Sequence, residues 1–407
     1  MSGPNMAPLI AIACGGTGGH LFPGLAVAGV LQQWGCDVAL LISRKEVDQE
    51  AVKAAGAAHI LSLPAVALQD GRWTSFFRGF WQSYRLCRNS FKNLRPRGVL
   101  AMGGFTSAPP VLAGKAFGAL TFLHESNAVP GRANRWLSPW VDEVFIGFPP
   151  AARRLYNQAI RHIGTPVRAQ FRPADHGSCR MALGLDASRP VLLIMGGSQG
   201  AHGINVLLRE AIPILAAQAP ELQYVHLTGA EDHLAIRAAY AAHQRRATVR
   251  PFLTEMELAL GAATLAINRA GASSLSELAA MRLPAILVPY PHATDNHQFY
   301  NARALADTGA ARMIEQASTS AENIARSVLE LLASASSRGT MQRALDQWHF
   351  PHAAADIAQE IFKRLGLPKP ELLRDEESQP DMPLRAHAAR KWSGSGHKFQ
   401  IASSKSK

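Results

Sequence analysis

LIAIACGGTGGHLFPGLAVAGVLQQWG, Leu9 to Gly35, decides how the chain is read. Five apolar residues run into a turn of four glycines around Thr17, and apolar residues then repeat at helical spacing until Gly35. That order is strand, glycine turn, helix. It returns about 180 residues later in PVLLIMGGSQGAHGIN, Pro190 to Asn205, which predicts two similar α/β halves. The first turn is not the GxGxxG dinucleotide fingerprint, because Leu21 stands where the third glycine is needed, and no Lys-Ser/Thr follows to make a Walker loop. Asp37 opens the next strand and is set aside as a ribose ligand. What the turn offers is close backbone approach to a ligand and one imidazole, His20, at the mouth of a helix.

Outward from this stretch, Val38 to Ile42, Val99 to Met102, Leu120 to Leu123 and Val144 to Ile146 read as strands of the first half, the last of them closing it. Two strands end in polar turns, GGFTSAPP (Gly103 to Pro110) and HESNAVPG (His124 to Gly131). Parallel sheets place their sites at such strand ends, so three turns on one edge describe a cleft. IGTPVR, Ile163 to Arg168, reads as a connector. In the second half Tyr224 to Leu227, Thr248 to Pro251, Leu265 to Ile267 and Ala285 to Val288 read as strands, and Ser320 to Leu365 as helical with a break near His349 to His352.

The stretch AINRAGASSLSELAAMRLPAILVPYPHATDNHQFYN, Ala266 to Asn301, holds the second site candidate. A helix opening near Ala272 leaves the N–H groups of its first turn unpaired, a seat for a diphosphate. Glu277 follows one turn on, where a carboxylate can accept two ribose hydroxyls. The blander reading makes Ser273 an N-cap and Glu277 a solvated acid.

The net charge of +12 is local. Seven basic residues and no acid lie between Arg72 and Arg97, six more and no acid from Arg385 to Lys407, and the remainder is close to neutral. The first patch interleaves Phe76, Phe77, Phe80, Trp81 and Tyr84 with arginines; at least half of these aromatics are expected in the core, and the rest suit anionic lipid head groups. Nucleic acid is not expected as a partner. Residues 368–407 are expected to be a basic, disordered tail. Cys14, Cys36, Cys87 and Cys179 form no CxxC pair and read as buried thiols of a reducing compartment. No signal peptide is read at the N-terminus, and no apolar run approaches the roughly 18 residues of a spanning helix.

Together GGTGGH, GGFTS, HESN with its following PG, GTPVR, GGSQGA, NRAGASSLSE and DNHQ with NA resemble, in order and from about Pro8 to Leu365, the MurG family of glycosyltransferases. The resemblance implies a GT-B fold: two Rossmann-like parallel-sheet domains facing across a cleft, 1–166 on the acceptor and membrane side and 167–348 on the donor side. A helix at 349–367 would pack back on the first domain. It implies inverting transfer of N-acetylglucosamine from UDP-GlcNAc to the C4 hydroxyl of undecaprenyl-diphospho-muramyl pentapeptide, with no metal or cofactor, on the cytoplasmic face of the membrane. Carried over by position, His20 is the general base, with Glu125 the alternative. Donor contacts fall on Thr17, Gly18, Gly19, Asn127, Arg168, Ser198, Leu253, Ala272, Ser273, Ser274, Leu275, Ser276, Glu277 and Gln298. Phe76, Phe77, Phe80, Trp81, Gly104 and Phe105 fall on the acceptor and membrane side. Phe105 stands where the family commonly has tyrosine, and Leu63 to Gln69 lacks the usual small-Gly-Leu-Arg pattern. The residues alone leave open another UDP-GlcNAc enzyme, such as a 2-epimerase or glycolipid synthase, and a non-enzymatic basic module.

Overall fold

LIAIA is buried at every position, the mark of a strand covered on both faces. A computed structural model of the chain describes residues 7–44, 59–64, 73–197 and 200–368; Ser198, the stretch beyond Pro64 that departs from the family pattern and the basic tail lie outside them. In the first half β1 (Leu9–Ala13), β2 (Asp37–Ser43), β3 (His59–Leu63), β4 (Gly98–Ala101), β5 (Leu120–Glu125), β6 (Glu143–Ile146) and β7 (Ile160–His162) form one parallel sheet in the order β3-β2-β1-β4-β5-β6-β7. In the second, β8 (Val191–Met195), β9 (Gln223–Leu227), β10 (Ala247–Arg250), β11 (Leu265–Asn268), β12 (Ala285–Leu287) and β13 (Arg312–Met313) run β10-β9-β8-β11-β12-β13. The two sheets wind in the same way, as the repeated strand and glycine turn predict. The order reverses beside β1 in one and beside β8 in the other, and ligands of such sheets sit at those switch points.

The first half does not close at Ile146. Ile160–His162 adds an edge strand pairing with β6, and the Arg161 guanidinium meets the buried Glu143 carboxylate. Three residues ending in Arg-His carry too little apolar pattern to read as a strand. Alternate residues of β1 serve two cores. Ile10 and Ile12 pack with helix Gly18–Gln33 and with the last helix, Ala353–Leu365, while Leu9, Ala11 and Ala13 pack with Cys87 and Phe91 of helix Trp73–Leu94. The last helix thus returns to the first sheet, where Trp34 meets Phe362 edge-on at 5.2 Å and Arg364 donates to Glu143 at 2.8 Å.

Helix Trp73–Leu94 meets the expectation for its aromatics in part, with Phe80 and Tyr84 partly buried against the core that holds Cys87 and Phe91. The residues it buries are Gly79, Ser83, Cys87 and Phe91, four apart along one face. Three of these are small and let the helix lie close to helix Ala108–Ala116. Of Phe76, Phe77, Phe80, Trp81 and Tyr84 none is fully buried, and Phe77 and Trp81 are each more than half exposed. All four cysteines are buried and free, and burial pushes the Cys36 thiol up to about 11 and the Cys87 thiol up to about 12. Among the described residues no helix is long and apolar enough to cross a membrane.

Candidate active site

The strand ends that flank both switch points open on one cleft of about 2030 Å³. From the first half it is lined by Thr17, Gly18, Gly19, His20, Gly104, Phe105, Glu125 and Asn127. From the connector and second half it is lined by Arg168, Leu253, Ala272, Ser273, Ser274, Glu277 and Gln298. Phe76, Phe77 and Phe80 line its outer end; Trp81 does not. Two residues of the carried-over donor set turn away. Leu275 sits in the core of the second half, and the Ser276 hydroxyl donates to the Ala272 carbonyl at 3.2 Å, facing Gly147 and Phe148 instead.

His20 lies in the first turn of helix Gly18–Gln33, its Nδ1 3.1 Å from the Thr17 hydroxyl. The imidazole rests against the backbone of the second glycine turn. A Cβ on Gly103 or Gly104 would come within 3.1 Å of the ring, and both residues hold positive φ, 107° and 80°. Only glycine satisfies both conditions. Thr106 ties the turns together, its hydroxyl donating to the Gly15 carbonyl at 2.7 Å.

Glu125, the alternative base, is held by hydrogen bonds. Its carboxylate accepts from Asn127 N–H (2.8 Å), Asn127 Nδ2 (3.0 Å), Gly131 N–H (2.9 Å) and Asn134 Nδ2 (2.8 Å). Burial pushes its pKa up and these four donors pull it down. Burial outweighs the donors and leaves the pKa raised, while the four bonds tie the carboxylate to the HESNAVPG turn and to Asn134. His124 is structural: it is fully buried, its Nε2 2.9 Å from the Gly164 carbonyl, and burial holds its pKa down at about 4.

Across the cleft, helix Ala272–Ala280 begins after Gly271 with no side-chain cap. Its first internal bond runs from Leu275 N–H to the Gly271 carbonyl, leaving the N–H groups of Ala272, Ser273 and Ser274 without helical partners. Ser273 is not the cap; its hydroxyl donates to the Gly19 carbonyl of the first half at 3.0 Å. That carbonyl receives no N–H from residue 23, which is proline. Glu277 is not a solvated acid: burial pushes its carboxyl up to about 7, with Glu257 adding to the shift and Arg168 opposing it. The Arg168 guanidinium lies over the Phe22 ring at 4.4 Å, and its buried Nε has no protein partner.

Sequence reasoning missed what fixes the turn before this helix. Gln298 Oε1 accepts from Ala270 N–H at 3.2 Å and from Tyr290 N–H at 3.0 Å, and Asn301 Nδ2 donates to the Ala270 carbonyl at 3.0 Å. The two side chains stand three apart on helix His297–Asp307, and that spacing was the available signal. Arg269, buried with its pKa lowered to about 10 by desolvation, donates to the Val288 and Pro289 carbonyls and to Gln316. Among the described residues no cluster of His, Cys, Asp or Glu could hold a metal ion.

Two parallel sheets of one winding order, meeting at a cleft that sets a helix-mouth imidazole against an uncapped helix start, define a GT-B glycosyltransferase. The glycosyltransferase family 28 N-terminal domain matches residues 10–146, and the family 28 C-terminal domain matches residues 191–361. A relative from Anaeromyxobacter sp. (strain K), named UDP-N-acetylglucosamine--N-acetylmuramyl-(pentapeptide) pyrophosphoryl-undecaprenol N-acetylglucosamine transferase, is 36% identical over 370 residues, covering 87% of this chain and 93% of the relative. The crystal structure of Acinetobacter baumannii MurG superposes with a TM-score of 0.68 at 28% identity, over 88% of this chain and 99% of that one. The chain belongs to the MurG family. A putative UDP-N-acetylglucosamine 2-epimerase from Listeria monocytogenes has a TM-score of 0.67 at 15% identity, over 90% of this chain and 98% of that one, a likeness of fold alone.

Proposed function

We propose that the chain transfers N-acetylglucosamine from UDP-GlcNAc to the C4 hydroxyl of undecaprenyl-diphospho-muramyl pentapeptide, with inversion at the anomeric carbon. The observation that carries the reading is the 3.0 Å contact of Ser273 with the Gly19 carbonyl, which brings the open N–H groups of one half beside the His20 turn of the other. His20 takes the proton from the acceptor hydroxyl, whose oxygen attacks the sugar C1. The bond from C1 to the β-phosphate oxygen breaks, and UDP leaves with the electron pair. The N–H groups at Ala272 to Ser274 meet the charge that grows on the diphosphate, and Arg168 adds a cation. Glu277 takes the ribose hydroxyls, Leu253 and its neighbours the uracil, and Gln298 holds the turn that presents the helix. Ser198 is assigned to the donor side from its motif.

An assay with labelled UDP-GlcNAc and a short-chain polyprenyl diphosphate muramyl-peptide tests the reading; an epimerised sugar nucleotide, or no product, would overturn it. General-base catalysis is worth about 10² to 10⁴ in rate, so His20→Ala lowers kcat at least about 10²-fold with UDP affinity little changed. Near wild-type turnover in that variant would remove His20 as the base.

The acceptor is a lipid, and the aromatic end of the cleft is where we place the membrane, at the cytoplasmic face. Trp73, Phe77 and Trp81 are each more than half exposed, on a helix whose Arg78, Arg85, Arg88 and Lys92 are also exposed and which carries no acid. Aromatics with flanking cations suit an anionic head-group layer. Replacing Phe77 and Trp81 together with serine is expected to release the folded protein from anionic vesicles in a sedimentation assay; unchanged binding would assign attachment elsewhere.

A further inference from the structure

Among the described residues three polar junctions cross between the halves: the Asp295 carboxylate takes Arg132 at 3.2 Å and Arg135 at 2.5 Å, and two more flank the donor helix. Of these two, one is the Ser273 hydroxyl on the Gly19 carbonyl. The other centres on Asn301, fully buried, whose three hydrogen bonds reach both halves. Its Oδ1 accepts from Ala128 N–H at 2.8 Å, and its Nδ2 donates to Asn127 Oδ1 at 3.0 Å and to the Ala270 carbonyl at 3.0 Å. Ala128 and Asn127 belong to the turn anchored by Glu125, and Ala270 to the turn that opens the helix at Ala272. One amide therefore fixes the first half's polar turn to the start of the diphosphate-binding helix.

From these contacts we infer that Asn301 and Pro23 are positioning residues for transfer, setting the register in which the acceptor half meets the donor half. Asn301 sets it through its three bonds. Pro23 sets it by withholding the N–H that would otherwise compete for the Gly19 carbonyl, so that the Ser273 hydroxyl is its side-chain donor. Neither side chain touches the reacting atoms. Reaction geometry is sensitive to displacements of about 1 Å, so loosening either junction costs turnover more than binding. In our reading most of the UDP contacts lie on the connector and second half, so UDP affinity falls less than turnover.

The inference rests on the proposed transfer, so its test has one arm that needs no turnover. Full-length protein carries labels at Ala116→Cys and His243→Cys, one exposed position on each half, and the inter-label distance distribution is measured with and without UDP. Asn301→Ala is expected to broaden that distribution and to lower kcat at least tenfold, with the Kd for UDP within threefold. Pro23→Ala is expected to remain folded, since alanine favours a helix interior. Its kcat is expected to fall at least threefold, again with little change in UDP affinity. Equal losses in kcat and UDP affinity would mean a merely structural role and overturn the inference, as would unchanged distances and kcat within twofold of wild type in either variant. If Asn301→Ala does not fold, Pro23→Ala decides alone. Failure of the wild type to transfer sugar would overturn the proposed function, while the distance measurement would still judge the junctions.

Discussion

Glu125 and Glu277 line the same cleft from opposite sides, and burial raises the pKa of both. Their surroundings differ in every other respect. Glu125 is met by four N–H donors, three from its own turn and one from Asn134 on the helix after it, whereas Glu277 feels only burial, the repulsion of Glu257 and the attraction of Arg168. A carboxylate whose lone pairs are filled by protein holds a shape. One set at a pocket wall without such donors has its hydrogen-bonding capacity reserved for a ligand, and the protein bears a cost until the ligand arrives.

The sharpest way to break this contrast is to remove the anchor. Glu125→Ala strands the N–H groups of Asn127 and Gly131 and the Asn134 amide, and is expected to cost about 2 to 4 kcal/mol in urea unfolding. Wild-type stability in that variant would show that the four bonds hold nothing.

Glu277→Gln is expected to act in the opposite direction on stability. The folded carboxyl, at about 7, lies above its ordinary 4.5. As pH rises through that interval the unfolded chain ionises while the folded one resists, so Glu277 lowers stability progressively and its cost is full above about 7. The glutamine variant should therefore be more stable than wild type at pH 8 by roughly 1 to 3 kcal/mol, with no such gain at pH 4. In the proposed role ribose hydroxyls bind the ionised form, so the KM for UDP-GlcNAc in the wild type should climb as pH falls below about 7. The variant should have a higher KM that no longer depends on pH; a pH-independent KM in the wild type would contradict the ribose role.

The smallest effect belongs to Glu257→Gln. Removing the repelling charge should move the midpoint of the KM profile to lower pH, by less than about one unit. A midpoint that stays in place would make burial the whole cause.

Much of this arrangement was legible before any coordinates. The repeated strand and glycine turn encode the two sheets because a parallel sheet buried on both faces must be apolar throughout, and its ligand turns need glycine. Strands β3, β7 and β13 escaped because edge strands such as HILSL and IRH carry mixed polarity. The helix mouth at Ala272 could be read from local sequence, since its chemistry is local. The four donors to Glu125 could not be read in advance, because they depend on how the segment after it folds. The aromatic helix was legible only in part, because Gly79, Ser83 and Cys87 look unremarkable until a neighbouring helix requires small residues there, while Phe80 and Tyr84 pack on the core. Asn301 contacts a turn 174 positions away, a distance no periodicity reveals.

The return of helix Ala353–Leu365 to the first sheet also bears on how the chain is made. Ile357, Ile361 and Phe362 complete a core begun by Ile10 and Leu40. About 190 residues separate the last strand of that sheet from this helix, so at 5 to 20 residues per second a ribosome exposes an unfinished apolar face for roughly 10 to 40 s. The first half to leave the ribosome is therefore the last to be sealed. A truncation before residue 353 leaves it open for good, with Trp34 uncovered where Phe362 should lie.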